Sequence, residues 1–597
     1  MSARERQPAG TLRASDAGRP VLLKGWVAKR RDLGDLIFFA LRDRSGIVQI
    51  VFDRNRCPPE TVEAAATAHM EDVVEVEGDV VARTETQKNR EISTGEVEVI
   101  GRRLEFLSRA ETPPFLVEDR TNATEELRLA HRYLDLRRPV MQSNLMLRDE
   151  ATFRVRRVLH DRGFVEIETP MLTKSTPEGA RDFLVPSRLH RGEFYALPQS
   201  PQLFKQILMV AGFEKYFQIA RCFRDEDLRA DRQFEFTQID IEISFSTEED
   251  VFEAVEAVLE AAFGAAGIAA TRPFPRLTYR EAMERYGTDR PDLRYELPLT
   301  DFSAAVSGSG FAPFERALTE GGAVRGLRVP GGAELSRKKL DELTALAREH
   351  GAGGLIWIKR SAGEVSSPAK KGLPGEALAR LLDAGGVEEG DLLLIVADKP
   401  KAVFASLAAL RAAAARAQNL VNEGTHAFCW VTDFPLLEWD DASQHWSPMN
   451  HPFTAPRPED LPFLEAEPER VLARAYDVVL NGWELGSGSI RIHRADLQER
   501  VFRVLGISEQ EGRERFGFLL DALRYGAPPH GGIAIGLDRV CALAAGVTSI
   551  RDVIAFPKTT SGLDLMTKSP SPVGDAPLAD LGITLSVPRL PRGEERG

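Results

Sequence analysis

Cysteine is scarce: the 597 residues contain four, Cys57, Cys222, Cys429 and Cys541, all far apart. Without a Cys-x-x-Cys pair or zinc-ligand spacing, a disulfide framework and a structural zinc are excluded, and free thiols in a reducing compartment are expected. Long apolar runs are missing as well; nothing approaches the roughly 18 residues that a membrane helix needs, and the opening MSARERQPAG has no apolar signal segment. These absences predict a cytoplasmic chain with no membrane partner. Positive charge is in deficit, and the net −13 gives no global sign of a nucleic-acid partner. Phosphate loops are lacking too: there is no GxxxxGKS or GxxxxGKT, and no glycine motif has a strand–GxGxxG–helix context, so any nucleotide has to be held by side chains.

What is present is ordinary globular composition, 43% hydrophobic and 28% charged, over a length that predicts roughly three or four domains. From Val21 to Phe106 short alternating runs are separated by turn residues, as in VLLKGWVAKR, LIFFALRD, GIVQIVFD, VVEVEGDVVAR and GEVEVIGRRLEF. Such runs predict a small closed β-barrel, a common holder of single-stranded nucleic acid through aromatics that stack on bases. Residues 1–56 carry twelve Lys or Arg against six Asp or Glu, a basic excess hidden in the global sum. Trp26, Phe38 and Phe39 are either stacking residues or core.

The boundaries follow from texture. The barrel takes 1–106, and the polar, proline-bearing stretch SRAETPPFLVEDRTNATEE reads as a linker, placed at 107–135. Strand and helix signals alternate over 136–296. Glycine-rich turns with helices and a strand then mark 297–419 as a separate α+β domain inserted into the larger one, which resumes over 420–565. The extension 566–597 carries few signals.

Four stretches of the larger domain combine polar groups that could form a site. TPEGARDFLVPSR crowds Glu178, Arg181 and Asp182 around a turn, which such composition also makes on its own. LPQSPQLFKQ sets Ser200, Gln202 and Lys205 at the head of a helix, where Ser200 is equally an N-cap. NGWELGSGSIRIH carries Glu484 and Arg491 and is followed by GGIAIGLDR. The fourth, FRDEDLRADRQFEFTQIDIE, ends in strict alternation. Thr237, Ile239 and Ile241 fall on one face of a strand, and Gln238, Asp240 and Glu242 on the other, either a wet edge or the floor of a polar site.

These stretches carry a family resemblance. FRDE resembles motif 2 of the class II aminoacyl-tRNA synthetases, GFVEIETPML motif 1 and GIAIGLDR motif 3. With TPEGARDFLVP, ALPQSPQLFKQ, RYLDLRR and DVIAFPKT, the chain resembles the bacterial-type aspartyl-tRNA synthetases over nearly its whole length. The resemblance implies an N-terminal OB-fold barrel that binds the anticodon, an α+β class II catalytic domain with an antiparallel sheet, and the inserted α+β (GAD-type) domain. It also implies a homodimer meeting at motif 1 near Pro170. The implied reaction joins L-aspartate to ATP and passes the aspartyl group to the 3′ end of tRNA-Asp.

The same resemblance assigns residues. Arg224 contacts the α-phosphate and the attacking carboxylate, with Asp225, Glu226 and Gln233 beside ATP. Phe236 lies under adenine, and Gly536, Leu537, Asp538 and Arg539 belong to the motif 3 side, Arg539 reaching the γ-phosphate. Asp477 and Glu484 hold Mg²⁺, Glu484 also contributing to the ATP site. Lys205 and Arg491 read the substrate's side-chain carboxylate, while Glu178, Ser200, Gln202 and Asp240 bind its ammonium group and close over it. Asn450 and His451 stand where many members have a His–His pair, and Phe234 replaces a usual proline. Arg31, Phe38, Gln49 and Glu98 read the anticodon. Leu33 and Thr86 fall where the family separates enzymes specific for tRNA-Asp from those that also charge tRNA-Asn; leucine favours the former. Arg491→Leu is expected to abolish adenylate formation and leave the fold intact. A related asparagine synthetase would lack the barrel and the insertion, a bare RNA binder would have lost Arg224 and Arg539, and asparaginyl or lysyl specificity is disfavoured by GARDF and Lys205.

Overall fold

The computed structural model describes residues 5–176, 180–441 and 443–586. They form two compact units, one of residues up to Arg148 together with Arg551–Pro572, the other of Asp149–Ile550 with the residues from Val573 onward.

In the first unit the strands Pro20–Asp32, Leu36–Asp43, Gly46–Asp53, Val97–Ser108 and Val73–Ala82 close into a barrel in that order. Every second residue of Val73–Ala82 is buried through most of its length, as period-two patterning requires of a half-buried strand. Val21, Phe39, Val48, Ile50, Phe52, Val76 and Val99 fill the interior. Closure brings backbones close: a Cβ on Gly101 would lie 2.3 Å from the Phe52 ring, so only glycine fits where that strand bends past its neighbour.

The stretch expected to be a linker is more structured than its composition suggests. Thr124 Oγ1 accepts the Leu127 N–H at 3.3 Å and starts a helix over Glu125–Ala130, followed by a turn of helix at Arg132–Asp135. The fully buried Asp135 accepts from Arg132 (2.5 Å) and Arg138 (2.7 Å). Arg132 also donates to the carbonyls of Arg551, Ile554 and Ala555, each at 2.9 Å. RYLDLRR thus fastens residues 551–572 to the first unit, whereas the sequence boundary ran the catalytic domain on to 565.

The second unit is built on an eight-stranded sheet. Its order is Arg276–Thr278, Phe428–Thr432, Ala475–Leu480, Trp483–Ile490, His530–Gly536, Glu235–Ser244, Lys215–Phe223 and Val165–Glu166. The sheet is antiparallel except at its two outermost pairs. Between its first two motifs and its last lies the expected insertion, a five-stranded antiparallel sheet from Leu299–Asp301 to Leu392–Asp398. Helices cover both of its faces. Leu340, Leu343, Leu407 and Leu410 pack on one side, and Phe302, Phe314, Ala377 and Leu381 on the other. Arg411 locks the start of this domain to its last helix, Pro400–Ala417. Its guanidinium donates to the carbonyls of Asp292, Tyr295, Glu296 and Leu297 at 2.7–3.1 Å and lies 4.2 Å from the Tyr295 ring.

Candidate active site

The alternation of TQIDIE is realised on strand Glu235–Ser244, which pairs with Lys215–Phe223 on one side and His530–Gly536 on the other. Ile239 and Ile241 are fully buried, and Asp240 and Glu242 leave the opposite face toward two cations. Lys205, on helix Gln202–Val210, places Nζ 2.8 Å from Asp240 Oδ1 and 3.3 Å from Glu242 Oε2. Arg491 grips Glu242 with two parallel contacts, Nε–Oε1 at 3.0 Å and Nη2–Oε2 at 3.2 Å. Its remaining nitrogen, Nη1, donates to Ser489 Oγ (2.7 Å) and His451 Nε2 (2.6 Å).

All four charged side chains are 2% exposed or less, so each depends on the others. Burial works against the Glu242 carboxyl, but Arg491 and Lys205 overcome it and hold the group below the usual carboxylate range. Burial prevails at Asp240 and pushes it upward despite Lys205. Neither oxygen of Asp240 has a hydrogen bond of good angle among the described residues, the ammonium of Lys205 being an ion-pair contact. His451 is held well below the ordinary histidine value by burial and then by Arg491 and Lys205, so the ring is neutral and accepts from Arg491. Two cations face two acids, so charge is balanced within the quartet.

Around this quartet the other expected residues divide. Ser200 Oγ accepts the Gln202 N–H at 3.3 Å, and the Gln202 amide turns to Gln206 (3.0 Å), which meets His530 (3.2 Å). Asn450 donates to Ser487 Oγ at 3.3 Å and buries an Oδ1 without a partner among the described residues. Glu178 lies outside the described residues.

A second group lies at the start of the same strand. Arg224 sits with its guanidinium 5.1 Å from the Phe236 ring centre, its Nε buried without a hydrogen-bond partner among the described residues. Asp225 N–H donates to the Arg181 carbonyl (3.2 Å), Glu226 pairs with Arg232 (2.9 Å), and Gln233 is buried. Phe234 packs edge-on against Phe183 and accepts the Arg224 N–H through its carbonyl (2.8 Å), so the backbone contact survives the loss of proline. Gly536 caps the helix Leu537–Ala544; Leu537 is buried and Asp538 Oδ2 accepts the Thr237 N–H at 2.8 Å. Arg539 donates through Nη1 to the Glu484 carbonyl (2.8 Å) and meets Asp231 Oδ2 through Nη2 (3.2 Å).

Asp477 and Glu484 lie on adjoining strands, Asp477 opposite Ser487. Burial, and then the Glu484 charge, push Asp477 well above the usual carboxylate range, and its Oδ1 is buried without a partner among the described residues. Two repelling carboxylates with an unsatisfied oxygen fit a hard divalent cation. Glu484 also borders a cavity of about 1640 Å³ lined by Trp483, Arg290 and the inserted domain's last helix.

On the barrel, Arg31 faces Phe38 across the first two strands, and Ala40, two residues on, faces Gln49. Gln49 donates to Glu98 at 3.1 Å, and Arg83 approaches the same carboxylate at 3.3 Å. Arg31, Phe38, Gln49 and Glu98 therefore share one face. Leu33, 71% exposed, tips the hairpin beside them, and exposed Thr86 bonds Thr84 (3.2 Å). Trp26 is instead covered by Arg137, 5.1 Å away.

The sequence family described as tRNA synthetases class II (D, K and N) matches residues 124–560. The chain belongs to the class II tRNA synthetases of the D, K and N group. Its barrel, residues 21–107, matches the OB-fold nucleic acid binding domain. Within this synthetase group it is 53% identical over 579 residues to the aspartate–tRNA(Asp/Asn) ligase of Caldanaerobacter subterraneus subsp. tengcongensis, spanning 97% of this chain and 98% of that one. It is also 53% identical over 581 residues, with the same coverage, to the aspartate–tRNA ligase of Geobacillus kaustophilus. The fold is shared with the asparaginyl-tRNA synthetase of Pyrococcus horikoshii crystallised with asparaginyl-adenylate, at a TM-score of 0.58, 20% identity and coverage of 93% of this chain and 98% of that one.

For a synthetase of this group the sequence reading left two partners without a role. Glu242 anchors Arg491, and its signal was present as the third polar residue of the alternating face. Asp231 holds Arg539 from within a run of mixed charge that singles out no member.

Proposed function

We propose that the protein is an aspartate–tRNA ligase that activates L-aspartate with ATP and transfers it to the 3′ end of tRNA-Asp. The observation that carries this reading is the buried Lys205–Asp240–Glu242–Arg491 quartet, which holds two cations in fixed positions that suit a substrate with a second carboxylate. Lys205 and Arg491 bind that carboxylate; asparagine would offer them a neutral amide in its place, and sites built to pair a particular polar group reject an analogue lacking it by roughly 10⁴ or more. Asp240, whose Oδ2 has no hydrogen bond among the described residues, suits the substrate's ammonium group together with Glu178, Ser200 and Gln202, and Asn450 and His451 complete the proposed aspartate set.

In the first step a carboxylate oxygen of aspartate attacks the α-phosphorus of ATP, a new P–O bond forms, and pyrophosphate departs with the old one. Carboxylates are already ionised at neutral pH, so no general base is needed. Charge grows on phosphate oxygens, and Arg224, with its free buried Nε, supplies a preplaced cation there. Arg539 serves the distal phosphates, while Phe236 stacks the adenine and Asp225, Glu226, Gln233, Gly536, Leu537 and Asp538 shape the nucleotide's surroundings. Asp477 and Glu484 would hold Mg²⁺, which neutralises charge on the triphosphate when bound. In the second step a terminal ribose hydroxyl of tRNA attacks the aspartyl carbonyl and AMP leaves.

The domain plan proposed from sequence goes with this chemistry, in cytoplasm and as a homodimer. Exposed Phe153, Val165, Met171, Leu172, Leu184 and Leu189 offer apolar surface near motif 1 for a second copy.

Phe38 on the barrel face is positioned to stack on an anticodon base, worth about 1 to 3 kcal/mol. Phe38→Ala is expected to raise the KM for tRNA and spare ATP–pyrophosphate exchange. Unchanged aminoacylation at low tRNA concentration would remove the barrel as reader.

A second reading, charging of both tRNA-Asp and tRNA-Asn, is favoured by the Asp/Asn naming of relatives at 53% identity, against Leu33. Aminoacylation of purified tRNA-Asp and tRNA-Asn side by side with labelled aspartate decides between them. The main reading expects tRNA-Asn to stay at background, and comparable charging of both establishes the second. No charging of tRNA-Asp would overturn the proposal itself.

A further inference from the structure

We propose that Asp231 is a placeholder anion: it occupies the phosphate-binding end of Arg539 in the substrate-free enzyme and hands that arginine over to ATP. The inference deepens the reading of Arg539 as a distal-phosphate ligand and rests on it.

The geometry separates a fixed end of the guanidinium from an exchangeable one. Nη1 is anchored on the Glu484 backbone carbonyl at 2.8 Å, a contact that any nucleotide would leave in place. The Glu484 carboxylate itself is 4.0 Å from Nη1, an ion contact without a hydrogen bond. Nη2, the other terminal nitrogen, meets Asp231 Oδ2 at 3.2 Å. Both side chains are partly open to solvent, 22% for Arg539 and 28% for Asp231, so the pair can part without burying a bare charge.

Asp231 is also carried by the right kind of segment. It lies on the connection between strands Lys215–Phe223 and Glu235–Ser244, the one that brings Arg224 and Glu226 to the site. The crown of that connection is pinned to the segment that follows the motif 3 helix, because the Ala230 carbonyl accepts the Ile550 N–H at 3.0 Å. The neighbouring Arg232 is spoken for by Glu226 at 2.9 Å, which leaves Asp231 free to address Arg539. An anionic oxygen of the triphosphate bound to Nη2 takes the place of an anionic carboxylate oxygen, a like-for-like exchange that keeps the guanidinium oriented before substrate arrives. Asp231 thus acts through Arg539 as a positioning residue, and it competes with ATP for it.

Competition has a signature that support alone lacks. In ATP–pyrophosphate exchange, Asp231→Asn is expected to lower the KM for ATP by about two- to fivefold, the range of a partly exposed charge pair, with kcat within about twofold. Binding of inorganic tripolyphosphate to the substrate-free full-length enzyme should tighten by the same factor, and Asp231→Glu should return both values toward wild type. A KM for ATP that stays constant or rises in Asp231→Asn overturns the proposal. Arg539→Gln is the separate control: if it leaves the KM for ATP unmoved, the phosphate role of Arg539 fails, whatever Asp231→Asn does.

Discussion

Arg491→Leu is expected to reduce aspartate-dependent ATP–pyrophosphate exchange by about 10³-fold or more and to destabilise the catalytic unit by about 3–5 kcal/mol. Loss of activity follows from removing one of two cations that face the substrate's second carboxylate. Destabilisation follows from Glu242, whose carboxylate is fully buried and gripped at both oxygens by Arg491. With Arg491 gone, Lys205 alone would face Asp240 and Glu242, one cation against two acids. The sequence alone leads to the opposite expectation, an intact fold, and unfolding of the variant distinguishes the two. The combination Glu242→Leu with Arg491→Leu separates the effects: it should recover most of the stability, since an apolar pair often replaces a buried ion pair without loss, and none of the activity. Denaturant unfolding and exchange kinetics of the two variants provide the measurements. Exchange near the wild-type rate in Arg491→Leu would sink the assignment.

Asp135→Ala is expected to cost the first unit about 3–5 kcal/mol, although the residue touches no substrate. Asp135 is the anion for Arg132 and Arg138, and burial already pulls the Arg132 guanidinium below the ordinary arginine range. Without the carboxylate, Arg132 keeps hydrogen bonds to carbonyls alone, and Arg138 keeps carbonyls and the more distant Asp119 carboxylate at 4.0 Å. Arg132 is also what holds the carbonyls of residues 551, 554 and 555, so the amides of 551–572 should exchange with deuterium faster in the variant. Exchange and unfolding like those of the wild type would show that Asp135 carries no such load.

Legibility from sequence followed the range of the interactions. The barrel was readable because period-two alternation is local, and the same holds for the face shared by Asp240 and Glu242. The helix at Glu125–Ala130 was hidden by a polar, proline-bearing composition; a single threonine oxygen decides it, and Thr124 looks like any other loop threonine until its φ and ψ are known. Glu242 had a visible position but an invisible partner, since Arg491 is 249 residues away in the chain. Asp231 was one acid among several, and only the fold distinguishes the one that reaches Arg539. Phe234 broke the family pattern, and its effect could be judged only once its carbonyl was found bonded to the Arg224 N–H.

The strand order of the catalytic sheet also sets a schedule for synthesis. Strand Glu235–Ser244 is flanked by Lys215–Phe223, made just before it, and by His530–Gly536, made nearly three hundred residues later. While the ribosome works through the inserted domain, Arg491 is not yet made, and Lys205 is the one member of the pair of cations available to Asp240 and Glu242. The inserted domain has two apolar cores of its own and can condense during this interval. The synthetase sheet therefore closes late, and the act of closing it is the act of neutralising its amino-acid pocket.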